Sequence, residues 1–400
     1  MAEPPAEELP EHERELIERA RRFAVEQLRP VSLEYEETEA FPWGPLYEAA
    51  SLGLTCLDIP SEYGGGGVPS LHAMCTIVEE LAWGDSPITQ VILQGGFFAG
   101  PLLAMGAGEQ KRRWLPRLCE RKPPVCGLAI TEPGAGSDAA AITTHAKRVH
   151  GGYTLSGTKR FIGNGPVLDL CTVFATVSPG SGSRGITAFV VERGDDGFTT
   201  GPPLPKMGSR CFPAGELFFE ECFLPDDRRI GEEGKGFRGL MRFFDRARVQ
   251  LSANSLGIGR AALEHAVAYA KERRAFDQPI HQFQAVAFRL VDAKMRLDQA
   301  RLLSRHAARL ADSGKPFAVE AAQAKLAASE ASMFATWAAC QTLAGRGYLR
   351  DSPVQKWFRE AKLDEIWDGT SDIMRVIVSR DMFAPTGTRP ALWGGDVDET

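Results

Sequence analysis

The sequence has 400 residues, of which 46 are basic and 52 are acidic, so its formal net charge is −6. A chain of this length exceeds what one compact core usually organises, and two or three domains are expected. The negative charge argues against a nucleic-acid partner, and 44% hydrophobic with 24% charged residues is ordinary for a soluble globular protein.

The N-terminal segment MAEPPAEELPEHEREL is acidic and lacks the apolar core of a signal peptide. The 8 cysteines include no CxxC pair, and no histidine cluster has metal-ligand spacing, so no metal site is predicted. We therefore expect reduced, mostly buried cysteines in a cytoplasmic protein.

Residues 1–125 alternate helical segments with chain breakers, which predicts an N-terminal α-helical domain. The segment ERELIERARRFAVEQLRPV has apolar residues at helical spacing and is expected to end at Pro30. The apolar segment from Ile88 to Met105 is interrupted by Gly95-Gly96 and Gly100-Pro101. These interruptions favour a buried helix over a membrane span.

Residues 126–238 change to a two-residue periodicity, which predicts a middle β domain with an antiparallel barrel or sandwich. The predicted strands lie in GYTLSGTKRFI, DLCTVFATVS, GITAFVVER and GELFFEECFLP. Helical periodicity returns in residues 239–383, where the apolar positions between Val286 and Leu303 step by four and three. The fold class is therefore α+β multidomain with a C-terminal helical bundle, and residues 384–400 are expected to be a disordered tail.

Several segments allow both a structural and a functional interpretation. LAITEPGAGSDAA is either a plain glycine-rich loop or a backbone nest for phosphate or a polar ring edge. GTKRFIGNG ends a predicted strand, and a hairpin turn at Asn164-Gly165 is its simplest interpretation. FDRARVQLSANSLGIG holds Asp245, Arg246 and Arg248, which could form surface ion pairs. The arginines of KERRAFDQPIHQFQA suit phosphate binding or an intersubunit salt bridge.

The segment DEIWDGTSDI places Asp368 beside Gly369 and ahead of the hydroxyl pair Thr370-Ser371. Asp368 is either a catalytic carboxylate on a tight bend or a helix cap on a solvated turn. Taken alone, this segment favours the cap.

Taken in order and at these separations, the segments resemble the successive signatures of the acyl-CoA dehydrogenase family of flavoproteins. The resemblance rests on ITEPGAGSD, GTKRFIGNG, ERRAFDQPIHQFQA, QTLAGRGY and DGTSDIMR, and runs from about residue 10 to residue 383. It implies an N-terminal helical domain, a middle β domain and a C-terminal four-helix bundle, with FAD between the last two. It also implies α,β-dehydrogenation of an acyl-CoA thioester, an electron-transfer flavoprotein as acceptor, and a homotetramer built as a dimer of dimers.

The resemblance also implies the site residues. In one subunit FAD would contact Leu128, Ala129, Ile130, Thr131, Gly136, Ser137, Phe161, Ile162, Gly163, Thr370 and Asp372. The FAD of a neighbouring subunit would be reached by Arg273, Phe283, Gln284, Gln341, Thr342, Leu343, Ala344 and Gly345. The catalytic base would be Asp368, and the substrate would be contacted by Ser137, Asp245, Arg248 and Gly369.

Two residues depart from the family pattern. The usual base is a glutamate preceded by an aromatic residue, whereas Trp367-Asp368 keeps the aromatic residue and shortens the acid by one methylene. Ala247 occupies the alternative location of the base in some relatives, so Asp368 is the only carboxylate at either location. Gly163 stands where a hydroxyl residue commonly bonds flavin N5, which weakens the assignment of an electron-transfer flavoprotein.

The shorter acid loses about 1.5 Å of reach, and a misplacement of about 1 Å can cost on the order of a hundredfold in rate. Either a branched, cyclic or otherwise unusual acyl group brings its α-carbon closer, or the usual elimination is slow, and we favour the first. Separately, Phe97 and Phe98 suggest a shortened acyl cavity. The alternatives are a flavin oxidase or monooxygenase, an acyl-carrier-protein-linked dehydrogenase, and a non-catalytic flavoprotein. Gly163 favours the first of these, and the retained Asp368 argues against the last.

Overall fold

The computed structural model describes residues 9–385 and confirms the predicted fold class of helical, β and helical parts in chain order. Most of the predicted tail, from residue 386 onward, lies outside the described residues. The N-terminal helices are α1 (Glu11–Phe23), α2 (Ser32–Thr38), α3 (Trp43–Ser51), α4 (Leu71–Gly84), α5 (Ser86–Met105) and α6 (Gly108–Trp114).

The first helical path does not end at Pro30 as the sequence predicts. α1 passes into a π-helical segment, Ala24–Leu28, and then into a 3₁₀ turn, Arg29–Val31, in which Pro30 takes an early position. Proline is tolerated in a first turn because its missing N–H would have no intrahelical acceptor there. The chain therefore continues directly into α2.

Among residues 9–385, α5 is the one helix long and apolar enough to cross a membrane. Its apolar residues are packed inside the protein, since Ile88, Ile92 and Leu102 are at most 1% exposed. Phe98 is also fully buried in the core, which does not support its expected place in a substrate cavity. Phe97 is only partly buried, and its ring meets that of Phe243 edge-on at 5.3 Å.

The middle domain is one eight-stranded sheet in the order β6-β7-β3-β2-β4-β5-β8, with β1 paired to β4. Most pairings are antiparallel, as predicted, but β1 runs parallel to β4, and β2 meets β4 in parallel through one residue pair. A parallel pair requires a long crossover, which the chain between β1 and β4 provides. The strands are β1 (Cys126–Ala129), β2 (His145–Val149), β3 (Gly152–Gly163), β4 (Leu170–Thr176), β5 (Ile186–Glu192), β6 (Phe198–Thr200), β7 (Ala214–Pro225) and β8 (Arg229–Ile230).

The C-terminal part is helical apart from a two-stranded ribbon, β9 (Arg274–Ala275) and β10 (Gln278–Pro279). The predicted apolar stripe is buried on the helix Gln284–Asp312, where Leu290, Ala293 and Leu297 are at most 8% exposed. The helices are α7 (Gly236–Glu272), α8 (Gln284–Asp312), α9 (Ala318–Leu343), α10 (Pro353–Asp364) and α11 (Ser371–Met382).

α7 is 37 residues long and packs closely against the N-terminal domain. At Gly257 a Cβ atom would lie 2.6 Å from the backbone oxygen of Glu79 and 2.9 Å from the backbone nitrogen of Trp83, both on α4. Because a real Cβ cannot come so near to backbone atoms, this crossing requires glycine at position 257.

We expect Gly257→Ala to lower the melting temperature, because overpacking costs about 1–3 kcal/mol and outweighs the helix propensity gained. Gly44→Ala on α3 is the matched control, since the nearest side-chain atom to its Cβ is 3.8 Å away. That control should keep or raise the melting temperature in a thermal scan. A Gly257→Ala protein as stable as the wild type would contradict the close crossing.

Candidate active site

The two segments with predicted flavin contacts, residues 128–137 and 161–163, lie beside each other. The backbone N–H of Arg160 donates to the Thr131 carbonyl at 2.8 Å, so β3 is bonded to the loop that follows β1. Leu128 and Ala129 belong to β1, whereas Gly136 and Ser137 are exposed at the far end of the loop.

A buried ion pair between Lys159 and Glu132 anchors the loop that follows β1. The Lys159 ammonium donates to the Ile130 carbonyl at 2.9 Å and to the Glu132 carboxylate at 2.7 Å. Glu132 also accepts from the backbone N–H groups of Thr143 and Thr144 at 2.6 and 2.9 Å. Burial raises the pKa of Glu132, but Lys159 and these donors more than reverse that effect and bring it to about 2. Thr131 is therefore held between two anchored neighbours.

The strand end next to this loop presents an uncovered aromatic ring. Phe161 has a left-handed backbone (φ 60°) and is 63% exposed, whereas Ile162 is buried. Apart from the adjacent residues of the chain, no atom of the described residues 9–385 lies within 4 Å of a Cβ built on Gly134 or Gly136. The open loop and the exposed ring leave room for a flat, conjugated group, and the residues present fit a flavin.

The end of β3 is not the simple hairpin that Asn164-Gly165 suggested, because β3 pairs with β2 and β7 and not with β4. Instead, the left-handed Asn164 (φ 59°) donates from Nδ2 to the Cys126 carbonyl at 3.1 Å and ties the strand end to β1. This turn therefore positions Gly163 beside the beginning of β1, where the Gly163 carbonyl oxygen lies 3.2 Å from a Cβ built on Gly127.

Phe212 occupies the space that a side chain at Gly163 would need. A Cβ at Gly163 would lie 2.5 Å from Phe212 Cζ. The other side of this ring meets Trp367, with ring centres 6.2 Å apart and planes at 67°. Because Trp367 directly precedes Asp368, this aromatic contact connects the predicted base to the predicted flavin edge.

Asp368 lies on a strained turn and is not a helix cap. Asp368 and Gly369 both have left-handed backbones (φ 51° and 99°), and Thr370 caps α11 by accepting the Ile373 N–H at 3.2 Å. Within residues 9–385 the Asp368 carboxylate accepts no hydrogen bond, and its backbone N–H finds no acceptor. Burial raises the pKa of this carboxyl, while the nearby Lys325 and Arg248 lower it.

Arg248 contacts the turn from α7. It is 2% exposed, and its Nε donates to the Asp368 carbonyl at 3.3 Å. Its Nη1 donates to the Asp245 carboxylate at 3.2 Å, and burial raises the pKa of Asp245 to about 6 against the attraction of Arg248. Asp245 and Arg248 therefore form a largely buried ion pair next to the Asp368 turn, and not the surface ion pair that the sequence allowed.

A second carboxylate, Asp364, lies behind the turn. It accepts from Ser255 Oγ at 2.6 Å, from Asn254 Nδ2 at 3.2 Å and from Trp367 Nε1 at 2.9 Å. Burial raises the pKa of Asp364 to about 6, although each of these donors lowers it. With its hydrogen bonds used inside the protein, Asp364 orients Trp367 and does not face a ligand.

The residues predicted to reach a neighbouring subunit lie away from the Asp368 turn. Arg273 ends α7 and Phe283 precedes α8, where the Phe283 ring meets the 89% exposed Phe276 edge-on at 5.9 Å. Gln284 begins α8. The remaining group closes α9, where Gln341, Ala344 and Gly345 are exposed while Thr342 and Leu343 face the bundle core.

Asp372 lies in the first turn of α11, and its side chain is 92% exposed. Its carboxylate pairs with Arg375 at 3.4 Å. A carboxylate would repel a pyrophosphate, so the predicted contact would use the backbone N–H groups at this helix start.

Comparison with known proteins identifies the family of this chain. The family descriptions acyl-CoA dehydrogenase N-terminal, middle and C-terminal domain match residues 10–122, 127–222 and 234–383. This chain belongs to the acyl-CoA dehydrogenase family. Members of the family are FAD-dependent oxidoreductases, and this enzyme binds FAD.

Three relatives of this acyl-CoA dehydrogenase illustrate the range of the family. The human mitochondrial short-chain specific acyl-CoA dehydrogenase is 37% identical over 374 residues, which cover 93% of this chain and 90% of the relative. The butyryl-CoA dehydrogenase of Megasphaera elsdenii is 34% identical with a TM-score of 0.91, covering 96% and 100% of the two chains. The prolyl acyl carrier protein oxidase AnaB is 29% identical with a TM-score of 0.89, covering 94% and 100%.

Sequence reasoning missed four residues of this acyl-CoA dehydrogenase that shape the site: Lys159, Phe212, Lys325 and Asp364. Lys159 and Asp364 lie within or beside the recognised segments, and a charged residue inside a strand pattern is a signal that could have flagged Lys159. Phe212 and Lys325 lie in no recognised segment, so only their spatial neighbours reveal their roles.

We expect Lys159→Met to destabilise the β domain by about 3–5 kcal/mol, because it leaves the Glu132 carboxylate buried without a counter-ion. The loop 128–137 should loosen, so the purified protein should hold less FAD and melt at a lower temperature. Lys147→Met on the exposed side of β2 is the control and should keep both properties. Full FAD content and an unchanged melting temperature in Lys159→Met would contradict the anchoring role of this pair.

Proposed function

We propose that this enzyme dehydrogenates an acyl thioester between Cα and Cβ, with Asp368 as the base that removes the Cα proton. The observation that carries the proposal is the state of Asp368, whose carboxylate and backbone N–H both lack a hydrogen-bond partner within residues 9–385. A carboxylate raised in pKa by burial and left without donors is suited to accept a proton.

The same turn supplies the electrostatic help that the reaction needs. The α-proton of a thioester is far too weakly acidic for a carboxylate, unless the negative charge that develops on the thioester oxygen is stabilised. The free N–H of Asp368 donates to that oxygen, and the carboxylate of the same residue takes the proton. FAD, when bound beside Gly163, supplies the acceptor for the hydride that leaves Cβ.

The acyl group is proposed to be short and branched or cyclic. Asp368 reaches about 1.5 Å less far than a glutamate would, so the substrate Cα must come closer to the turn. Phe97 and Phe243 narrow the space between α5 and α7. The relatives also point to small acyl groups, since one is named for short-chain substrates, one for butyryl-CoA and one for a prolyl thioester.

We expect Asp368→Asn to abolish bleaching of the flavin by acyl-CoA while FAD remains bound, because the amide cannot take a proton. Asp368→Glu should shift the relative rates toward straight-chain substrates, because the added methylene restores reach. The measurement is the anaerobic visible spectrum of each protein mixed with straight, branched and cyclic acyl-CoAs and with a carrier-bound prolyl thioester.

Asp381→Asn is the control for these variants, because Asp381 is exposed near the end of α11 and belongs to no predicted site. It should bleach as the wild type does. Full activity in Asp368→Asn would remove this residue from the mechanism. If Asp368→Glu showed the same relative rates across the acyl-CoA panel as the wild type, the argument from side-chain reach would be contradicted.

Oxygen as the electron acceptor is the second candidate, and the pair Gly163 and Phe212 favours it. Gly163 has no hydroxyl, and the Phe212 ring fills the position where one could stand. The prolyl acyl carrier protein oxidase AnaB has the same fold and is named as an oxidase. Rapid reoxidation of the bleached flavin by air would support oxygen, and slow reoxidation would support an electron-transfer flavoprotein.

A cytoplasmic homotetramer, arranged as a dimer of dimers, completes the proposal. One face of α8 carries the exposed apolar residues Phe288, Val291, Met295 and Leu302, each more than 50% exposed in the single chain. An apolar face of this kind is typical of a protein interface. The separate location of Arg273 and Phe283 also suits a cofactor site completed by a second subunit.

We expect Val291→Glu to break the tetramer and to weaken FAD binding, because it places a charge in the apolar face of α8. Val68→Glu is the matched control, since Val68 is similarly exposed (46% against 54%) in an N-terminal loop. Sedimentation velocity gives the assembly state, and the ratio of visible to ultraviolet absorbance gives the FAD content. A wild-type monomer that holds FAD tightly would contradict the shared site.

A further inference from the structure

Lys325 is a buried cation on α9 that directly contacts the turn of Asp368. It is 1% exposed, and its Nζ donates to the Gly369 carbonyl at 2.8 Å. An ammonium group loses much hydration free energy on burial, so a site that keeps one needs compensating partners. Burial lowers the pKa of Lys325 to about 8, while Asp364 and Asp368 oppose that effect.

Lys325 differs from the other buried residues of α9, because none of them carries a charge. Lys325 is the one charged residue among the buried positions of α9, and Ala321, Ala322, Ala324 and Ala328 surround it in sequence. Small neighbours leave space for the long side chain to extend from the helix to the turn. An apolar residue would suit this packing better than lysine if packing were the only requirement.

The turn receives two cations on two successive carbonyl groups. Arg248 of α7 donates to the Asp368 carbonyl, and Lys325 of α9 donates to the Gly369 carbonyl. Both residues of the turn have left-handed backbones, and both donors are buried, since Arg248 is 2% and Lys325 is 1% exposed. The two donors therefore fix the backbone that carries the Asp368 side chain.

We propose that Lys325 is a positioning residue for the dehydrogenation: its ammonium holds the Asp368–Gly369 turn through the Gly369 carbonyl and places a positive charge near the Asp368 carboxylate. This inference rests on the proposed function of Asp368. Lys325 touches neither the substrate nor the cofactor in this scheme, and it acts only through the turn.

The direction of the electrostatic effect follows from the charged groups around the turn. Asp368 faces Arg248 from α7 and Lys325 from α9, while Lys325 itself faces Asp364 and Glu365 as well. Burial favours the protonated form of Asp368, and the two cations favour the ionised form. Loss of the Lys325 charge therefore raises the pKa of Asp368, and the base is ionised only at higher pH.

The test compares Lys325→Met, which lacks charge and donor, with Lys325→Gln, which keeps a donor, and Lys325→Arg, which keeps the charge. In Lys325→Met we expect the acid limb of the kcat–pH profile to move up by about one pH unit. The rate would fall about tenfold on the acid side and recover partly at alkaline pH, with little change in KM. Lys325→Arg should restore most of the wild-type profile.

A second readout needs no substrate. The infrared difference spectrum between the wild type and Asp368→Asn, followed over pH, reports the protonation of the Asp368 carboxyl. The same difference measured in the Lys325→Met background should titrate at higher pH. Lys315→Met, which removes an exposed lysine just before α9, is the control and should leave both profiles unchanged.

Unchanged titration of Asp368 in Lys325→Met would overturn the proposal, as would a Lys325→Arg protein with the defect of Lys325→Met. Should Lys325→Met fail to fold with FAD, Lys325→Gln decides, since a normal pH profile in that variant refutes the role of the charge. If wild-type flavin is bleached by no acyl thioester, the dehydrogenase function fails, while the infrared titration still tests the link between Lys325 and Asp368.

Discussion

The candidate active site depends on the way one long helix, α7, packs against several other elements. Gly257 brings it against α4, Phe243 places an aromatic ring on α5, and Arg248 reaches the Asp368 turn. Asn254 and Ser255 hold Asp364 from the same helix. Because a helix repeats every 3.6 residues, these side chains leave α7 in different directions. The relative placement of the Asp368 turn, Phe97 on α5 and the N-terminal domain is therefore set by a single helix.

Buried charges do the fine positioning. Lys159 anchors the loop after β1, while Arg248 and Lys325 hold successive carbonyls of the Asp368 turn. Each buried charge is costly by itself, and each is compensated by carboxylates or carbonyls that face it. Such pairs stabilise the fold little compared with apolar packing, but they restrict backbone segments that would otherwise be mobile. Two such groups lie at the segments predicted to contact flavin and substrate, and another, Lys356 with Asp85 and Glu360, joins α10 to the N-terminal domain.

Two departures from the family pattern meet in one place. Asp368 shortens the acid at the position proposed for the base, and at Gly163 the Phe212 ring occupies the space that a side chain would need. Trp367 lies between them, with its ring on Phe212 and its N–H on Asp364. The two departures are therefore connected in space through two aromatic rings, although the sequence presents them as separate features.

The sequence by itself determined the order of helical, β and helical domains, because hydrophobic periodicity is a local property. It also determined the family and singled out Asp368, because motifs in a fixed order can be recognised without knowing which residues are in contact. It did not determine the parallel pairing of β1 with β4, the path through Pro30, or the roles of Phe212, Lys325 and Asp364. Those depend on contacts between residues far apart in the chain, such as Lys325 with Gly369 and Gly163 with Phe212. Burial and electrostatic interactions depend on distances in space and not on separation along the chain. Only the tertiary structure therefore decided which residues surround Asp368.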